Sequence, residues 1–241
     1  MPYRKEEFAD EEIYHVVIRS IDDNLLFKDI DDYYRGIFSI YEFNDTKPAV
    51  IRERRQARLR IKEILKQAPK NNILVNDPRD KLVEILSFSF MPNHIHLLLR
   101  QIKNNGITRF MRKLGAGYGG YFNRKYGRKG HVLQNRFNAV HIKTDNQLRT
   151  VLIYIHTNSI SLIEPEWKMG KTKNLKNTTE FLNNYKWSSH RDYLDINNFP
   201  SVTEREFLLE IMGGVEDYQN AIKDWIKHKK EIKGFNNLAI E

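Results

Sequence analysis

The residues best suited to chemistry lie in the segment Met91-Pro-Asn-His-Ile-His96. His94 and His96 stand two apart in a β-rich run, so on a strand both imidazoles leave the same face while Ile95 turns to the other. Two imidazoles side by side are half of a metal site, although two surface histidines on an edge strand would show the same spacing. A second pair, Tyr154 and Asn158, falls in a helical run. Four residues apart, they share one helix face about 6 Å apart along the axis. The side-chain oxygen of Asn158 could complete a site of two nitrogens and one oxygen, with positions left for a phosphate oxygen and water. Tyr154, one turn earlier, would then lie beside the metal. Taken alone, a tyrosine in an apolar helix is an ordinary core aromatic.

The elements that must position these residues can be read from periodicity. Tyr14–Ser20 alternates as a strand, and Leu25–Tyr41 carries Leu26, Ile30, Tyr33, Ile37 and Ile40 at helical spacing. Arg52–Gln67 is a second, very basic helical run ended by Pro69. Leu82–Phe90 and His94–Arg100 read as consecutive strands around the bend at Met91-Pro92-Asn93. Gly106–Tyr126 follows as a helix weakened by Gly115, Gly117, Gly119 and Gly120. Phe137–Lys143 alternates as another strand, and Asn146–Ile160 is the last core helix, with Asp145 as its expected N-cap. Two short helical patterns, Thr203–Met212 and Val215–Lys227, come after Pro200. Strands and helices mix without repeated βαβ units, which predicts an α+β fold with an antiparallel sheet.

Charge points to the partner. The 241-residue chain carries +9 formally, and from Ile85 to Thr144 there are eleven Lys or Arg and no Asp or Glu. All of the excess positive charge therefore sits in one 60-residue window, as a polyanion partner would require. A solvated basic face is the alternative. The chain contains no cysteine, which excludes a disulfide scaffold and any thiolate metal site and suits a cytoplasmic protein. No apolar run approaches the roughly 20 residues that span a bilayer, so no membrane partner is expected.

The segments SFSFMPNHIHLLLRQ, FMRKLGAGYGGYFNRKYGRKG, QNRFNAVHIK, YIHTNSI and YKWSSHRDYL occur in this order. Together they resemble the REP-associated tyrosine transposases, relatives of the insertion-sequence transposases with one tyrosine and a His-hydrophobic-His (HUH) motif. The resemblance runs from about Tyr14 to Tyr193. It implies a ferredoxin-like antiparallel sheet with helices packed on one side. We expect this catalytic domain over residues 1–200, with a short helical C-terminal extension over 201–241. It also implies metal-dependent attack by a helix tyrosine on single-stranded DNA near a hairpin, with a 5′-phosphotyrosine intermediate.

Carried over residue by residue, His94 and His96 match the metal histidines, Asn158 the third ligand and Tyr154 the nucleophile. The family commonly has Asn-Pro after its tyrosine, whereas this chain has Asn158-Ser159, which could loosen the helix end. Mixed nitrogen and oxygen ligation suits Mg²⁺ or Mn²⁺. Relatives occur as monomers and as homodimers, and DNA binding would place the protein on the nucleoid.

Tyr118, Tyr121 and Tyr126 compete for the nucleophile's role, but none has a ligand-type residue four positions on. Tyr118 and Tyr121 are expected instead to stack on bases, and Arg109, Arg112, Lys113, Arg124 and Arg136 to meet phosphates. Two rival functions share these residues. One is a metal-dependent nuclease without a covalent intermediate, and the other is a nucleic-acid-binding module with no catalysis.

Overall fold

The computed structural model describes residues 7–49, 77, 79–169 and 174–228. Its first six elements are β1 (Ile13–Arg19), α1 (Ile30–Glu42), β2 (Val83–Met91), β3 (His94–Gln101), α2 (Gly106–Tyr126) and β4 (Asn138–Ile142). The strands form one sheet in the order β2-β3-β1-β4, with every neighbouring pair antiparallel. This is the ferredoxin-like α+β arrangement. The helix expected over Arg52–Gln67 lies outside the described residues.

Alternation along the central strands builds two cores. Val16 and Ile18 of β1 and Ile95, Leu97 and Leu99 of β3 face α1 and α2, where Ile37, Ile40, Ile107, Phe110, Leu114, Tyr118 and Phe122 cover them. Leu98 faces the other way, with His94 and His96 on its side of the strand. The two crossover helices thus lie on one side of the sheet, as expected. The opposite face carries a second layer, which includes the helices expected over Asn146–Ile160, Thr203–Met212 and Val215–Lys227.

That layer begins with α3 (Asp145–Thr157) and includes α4 (Leu175–Asn184), the single turn α5 (His190–Tyr193), α6 (Glu206–Met212) and α7 (Val215–His228). Val151, Leu152 and Ile155 of α3 pack there with Trp167, Leu182, Tyr193, Leu208, Tyr218, Ile222 and Trp225. The last two helices therefore share a core with α3.

The glycines of α2 do not break it. A Cβ on Gly117 would stand 2.1 Å from the ring of Phe43, so its absence lets the end of α1 press against α2. Gly36 of α1 plays the same part toward the sheet, where a Cβ would come within 2.4 Å of Phe90. Asp29 caps α1 by accepting from Asp32 N at 3.1 Å. Asp32 in turn accepts from Lys125, Tyr126 and Tyr121 of α2. Burial raises its pKa, yet the hydrogen bonds from Lys125, Tyr126, the Lys28 amide and Tyr121 outweigh this and leave it lowered.

A chain of buried hydrogen bonds ties α3 to its neighbours. Ser189 Oγ lies 3.0 Å from Phe88 N and 2.8 Å from His156 Nε2. Tyr218 Oη joins His156 Nδ1 at 2.7 Å and His190 Nδ1 at 2.5 Å, and His190 Nε2 meets Asn183 Oδ1 at 3.1 Å. One set of directions satisfies every contact. Phe88 N–H donates to Ser189, Ser189 O–H to His156, His156 Nδ1–H to Tyr218, Tyr218 O–H to His190, and His190 Nε2–H to Asn183. Both histidines are neutral in this arrangement. Burial lowers His190 to about 3, while burial and then the nearby His190 hold His156 well below the usual imidazole range.

The folded protein consequently binds fewer protons than the unfolded chain below the ordinary histidine value of about 6.5. Stability present above that pH is lost as pH falls toward the folded value. Between pH 7 and pH 5 we expect a loss of roughly 2 kcal/mol for each of the two histidines. Urea unfolding at the two pH values measures this directly; half the expected shift would mean that one is charged in the fold, and an unchanged midpoint that both are.

Candidate active site

The site forms where β1, β3 and the end of α3 meet. His94 and His96 leave the same face of β3, with ring centroids 4.8 Å apart. Across the β1–β3 ladder Val17 is paired with His96 and His15 with Leu98, so His15 lies diagonal to His96 on that face. His15 Nε2 approaches His96 Nδ1 to 3.0 Å, with the two rings near parallel at 5.3 Å. On the other side of the same ring, Asn158 Nδ2 stands 2.6 Å from His96 Nε2. His94 Nδ1 meets Asn93 Oδ1 at 2.6 Å.

Tyr154 completes the group. Its ring stands edge-on to His96 at 5.7 Å and to His15 at 5.8 Å. Asn158 holds helical dihedrals as the C-cap of α3, its N–H donating to Tyr154 O, so the two side chains keep their one-turn relation. The helix end is then tightened into a 3₁₀ turn over Asn158–Leu162. Thr144 caps the start by accepting from Gln147 N at 3.3 Å, one residue before the expected Asp145. All five side chains are sheltered, at 0% exposure for His15 and His96, 4% for Tyr154 and Asn158, and 6% for His94.

Periodicity missed His15. The alternating run Tyr14–Ser20 placed it on a strand, but nothing local says which strand lies alongside. Among the described residues, no group of three or more His, Cys, Asp or Glu is arranged to hold a metal. The donor set assembled here has two such residues and an amide.

The residues expected to meet DNA do not gather at one place. Arg112 and Arg124 are exposed on α2, and Arg109 is half-buried there, on the far side of the sheet from Tyr154. Lys113 donates to the carbonyls of Asp45 and Lys47. Tyr121 is half-buried and its hydroxyl donates to Asp32 at 3.0 Å. The stacking role expected of Tyr118 does not hold. Its ring has no exposed surface, its hydroxyl donates to Leu26 O at 2.5 Å, and burial pushes its phenol far above the usual range. Tyr126 is engaged by Asp32 at 2.6 Å, and burial and that contact raise it to about 12. Arg136, exposed, enters β4 at the His94 end of the sheet, since Gln134 N donates to Arg19 O and Arg19 is paired with His94.

Residues 49–158 match the family model described as transposase, IS200 like. His94, His96, Tyr154 and Asn158 fall inside the matched stretch, and His15 precedes it. Among solved structures, the chain is similar to a REP-associated tyrosine transposase bound to a REP hairpin. The two share 13% identity at a TM-score of 0.46, over 86% of this chain and 96% of that one. It is also similar to a bacterial tRNA(His) guanylyltransferase-like protein in complex with ATP, at 11% identity and a TM-score of 0.37 over 76% and 71%. No curated protein matches the chain.

Proposed function

We propose that this protein is a transposase that cleaves and rejoins single-stranded, hairpin-containing DNA through Tyr154, with a divalent cation held by His94, His96 and Asn158. One observation carries the reading. Two locally spaced pairs, 62 residues apart between His96 and Asn158, meet within 2.6 Å, and the ring of Tyr154 lies beside them.

The donor set suits Mg²⁺ or Mn²⁺. It offers two neutral imidazoles and one amide oxygen, and the amide of Asn158 already stands against His96 Nε2. When bound, such an ion polarises the scissile phosphate. The chain's own part is to align and shelter. Tyr154 Oη bonds to phosphorus, the bond to the 3′ oxygen breaks, and that oxygen leaves as a 3′ hydroxyl with a proton. The 5′ phosphate stays on the tyrosine. Rejoining reverses the exchange and needs no nucleotide, because the phosphotyrosyl bond conserves the energy of the broken one. Burial of Tyr154 at 4% exposure keeps bulk water away from that bond. Arg136 would hold phosphate near the His94 end of the sheet, and Arg109, Arg112 and Arg124 would serve strand more distant from the cut.

The test is a denaturing gel of the protein with labelled single-stranded hairpin DNA from the flanks of its own gene and Mn²⁺. A covalent protein–DNA band that resists boiling in detergent is the expected result. Cleavage without such a band would replace this reading with a hydrolytic nuclease. Binding without cleavage would leave a nucleic-acid-binding module.

A further inference from the structure

We propose that His15 is a positioning residue of the site: its Nε2 accepts the Nδ1 proton of His96 and so holds the Nε2 lone pair of His96 toward Asn158 and the metal position. This rests on the metal-dependent reading above, and it concerns a residue outside the stretch that matches the family.

The argument is one of donors and acceptors around a single ring. A neutral imidazole carries one N–H, and its other nitrogen accepts. His96 has a partner at each nitrogen, His15 Nε2 at 3.0 Å and Asn158 Nδ2 at 2.6 Å. An amide nitrogen only donates, so His96 Nε2 must be the acceptor. Its proton then sits on Nδ1, and His15 Nε2 must accept in turn, with the His15 proton on Nδ1. The opposite tautomer of His96 would set two donors against each other at 2.6 Å.

All three side chains have 4% exposure or less, so water is not at hand to make good a wrong arrangement. A ring whose Nε2 is unprotonated is the form that can ligate a cation. With a cation bound, Asn158 would offer its oxygen in place of its nitrogen, and His15 would keep His96 from turning. The near-parallel stacking of the two rings adds a steric hold on the same ring plane.

The test begins with the full-length, metal-free protein labelled with ¹⁵N at histidine. The ring nitrogen shifts of His96 should show a protonated Nδ1 and an unprotonated Nε2. In His15→Phe, which keeps a flat ring and removes the acceptor, the Asn158 amide can turn over and satisfy either form, so His96 should populate both tautomers. Calorimetric Mn²⁺ affinity should fall about 10–100-fold. His15→Gln, which returns an acceptor oxygen at similar reach, should recover most of both.

A wild-type His96 protonated at Nε2 would overturn the proposal, and that measurement needs no variant to fold. So would a folded His15→Phe with an unshifted tautomer and affinity within twofold of wild type. Failure of the wild-type protein to bind Mn²⁺ would instead sink the metal-dependent reading, while the tautomer would still decide the role of His15.

Discussion

Tyr154→Phe is expected to bind hairpin DNA and Mn²⁺ as the parent does, and to lose cleavage by at least about 10³-fold together with the covalent band. The substitution removes one oxygen and leaves the ring. Its edge-on contacts with His15 and His96, at 5.8 and 5.7 Å, are contacts of the ring and persist. A water molecule would be poorly aligned for the task in a site shaped to place a phenol, and alignment contributes much of the rate. Tyr118→Phe is the informative companion. It removes the hydroxyl that donates to Leu26 O, at a cost of about 1 kcal/mol of stability, and should keep the covalent band. A band that survives in Tyr154→Phe and vanishes in Tyr118→Phe would move the nucleophile to α2 and dismantle the site.

The second large effect is expected from the histidines. Replacing His94 and His96 together with Ala should abolish stoichiometric Mn²⁺ binding and all cleavage. His96 is part of the packed interior, with no exposed surface and a hydrogen-bonded neighbour at each nitrogen. Its removal should therefore cost stability as well, on the order of 1–3 kcal/mol for each buried group that loses its partner. His94→Ala separates the two consequences, since its hydrogen bond to the adjacent Asn93 is local. It should stay close to wild type in urea and still fail to cut DNA. Asn158→Ala should lose less activity, because water can supply an oxygen where the amide stood. Calorimetry that finds one Mn²⁺ per chain in the double variant would remove both histidines from the ligand set.

The pairs of residues that do the proposed chemistry were legible because each is local. A separation of two on a strand and of four on a helix fixes a shared face whatever surrounds them, and β3 and α3 supply those elements. His15 was not legible for the converse reason. Its value lies in a strand register, Val17 against His96, that no short window contains. Tyr118 was misread although its signal was present, since Phe110, Leu114, Tyr118 and Phe122 recur every four residues and form the buried stripe of α2. The glycines around it are expected to weaken the helix, whereas Gly117 is there to admit Phe43. Of the second layer, α3, α6 and α7 are legible from periodicity, whereas α4 is polar and short and α5 is a single turn, and neither shows a clean period.

The sheet order has a further consequence for how the enzyme comes into being. β1 leads the described strands in sequence and ends between β3 and β4, so the central pairing joins segments that are distant along the chain. His15 and His96 are 81 residues apart, and His96 and Asn158 are 62 apart. Such contacts are won only after long loops have closed, late in the search for the native state, and they form together with the rest of the core. The helix carrying Tyr154 and Asn158 and the β2–β3 hairpin with its two histidines are each local in sequence. Neither alone has any means to cut a strand. A chain caught part-way through folding therefore holds every reactive residue and no nuclease.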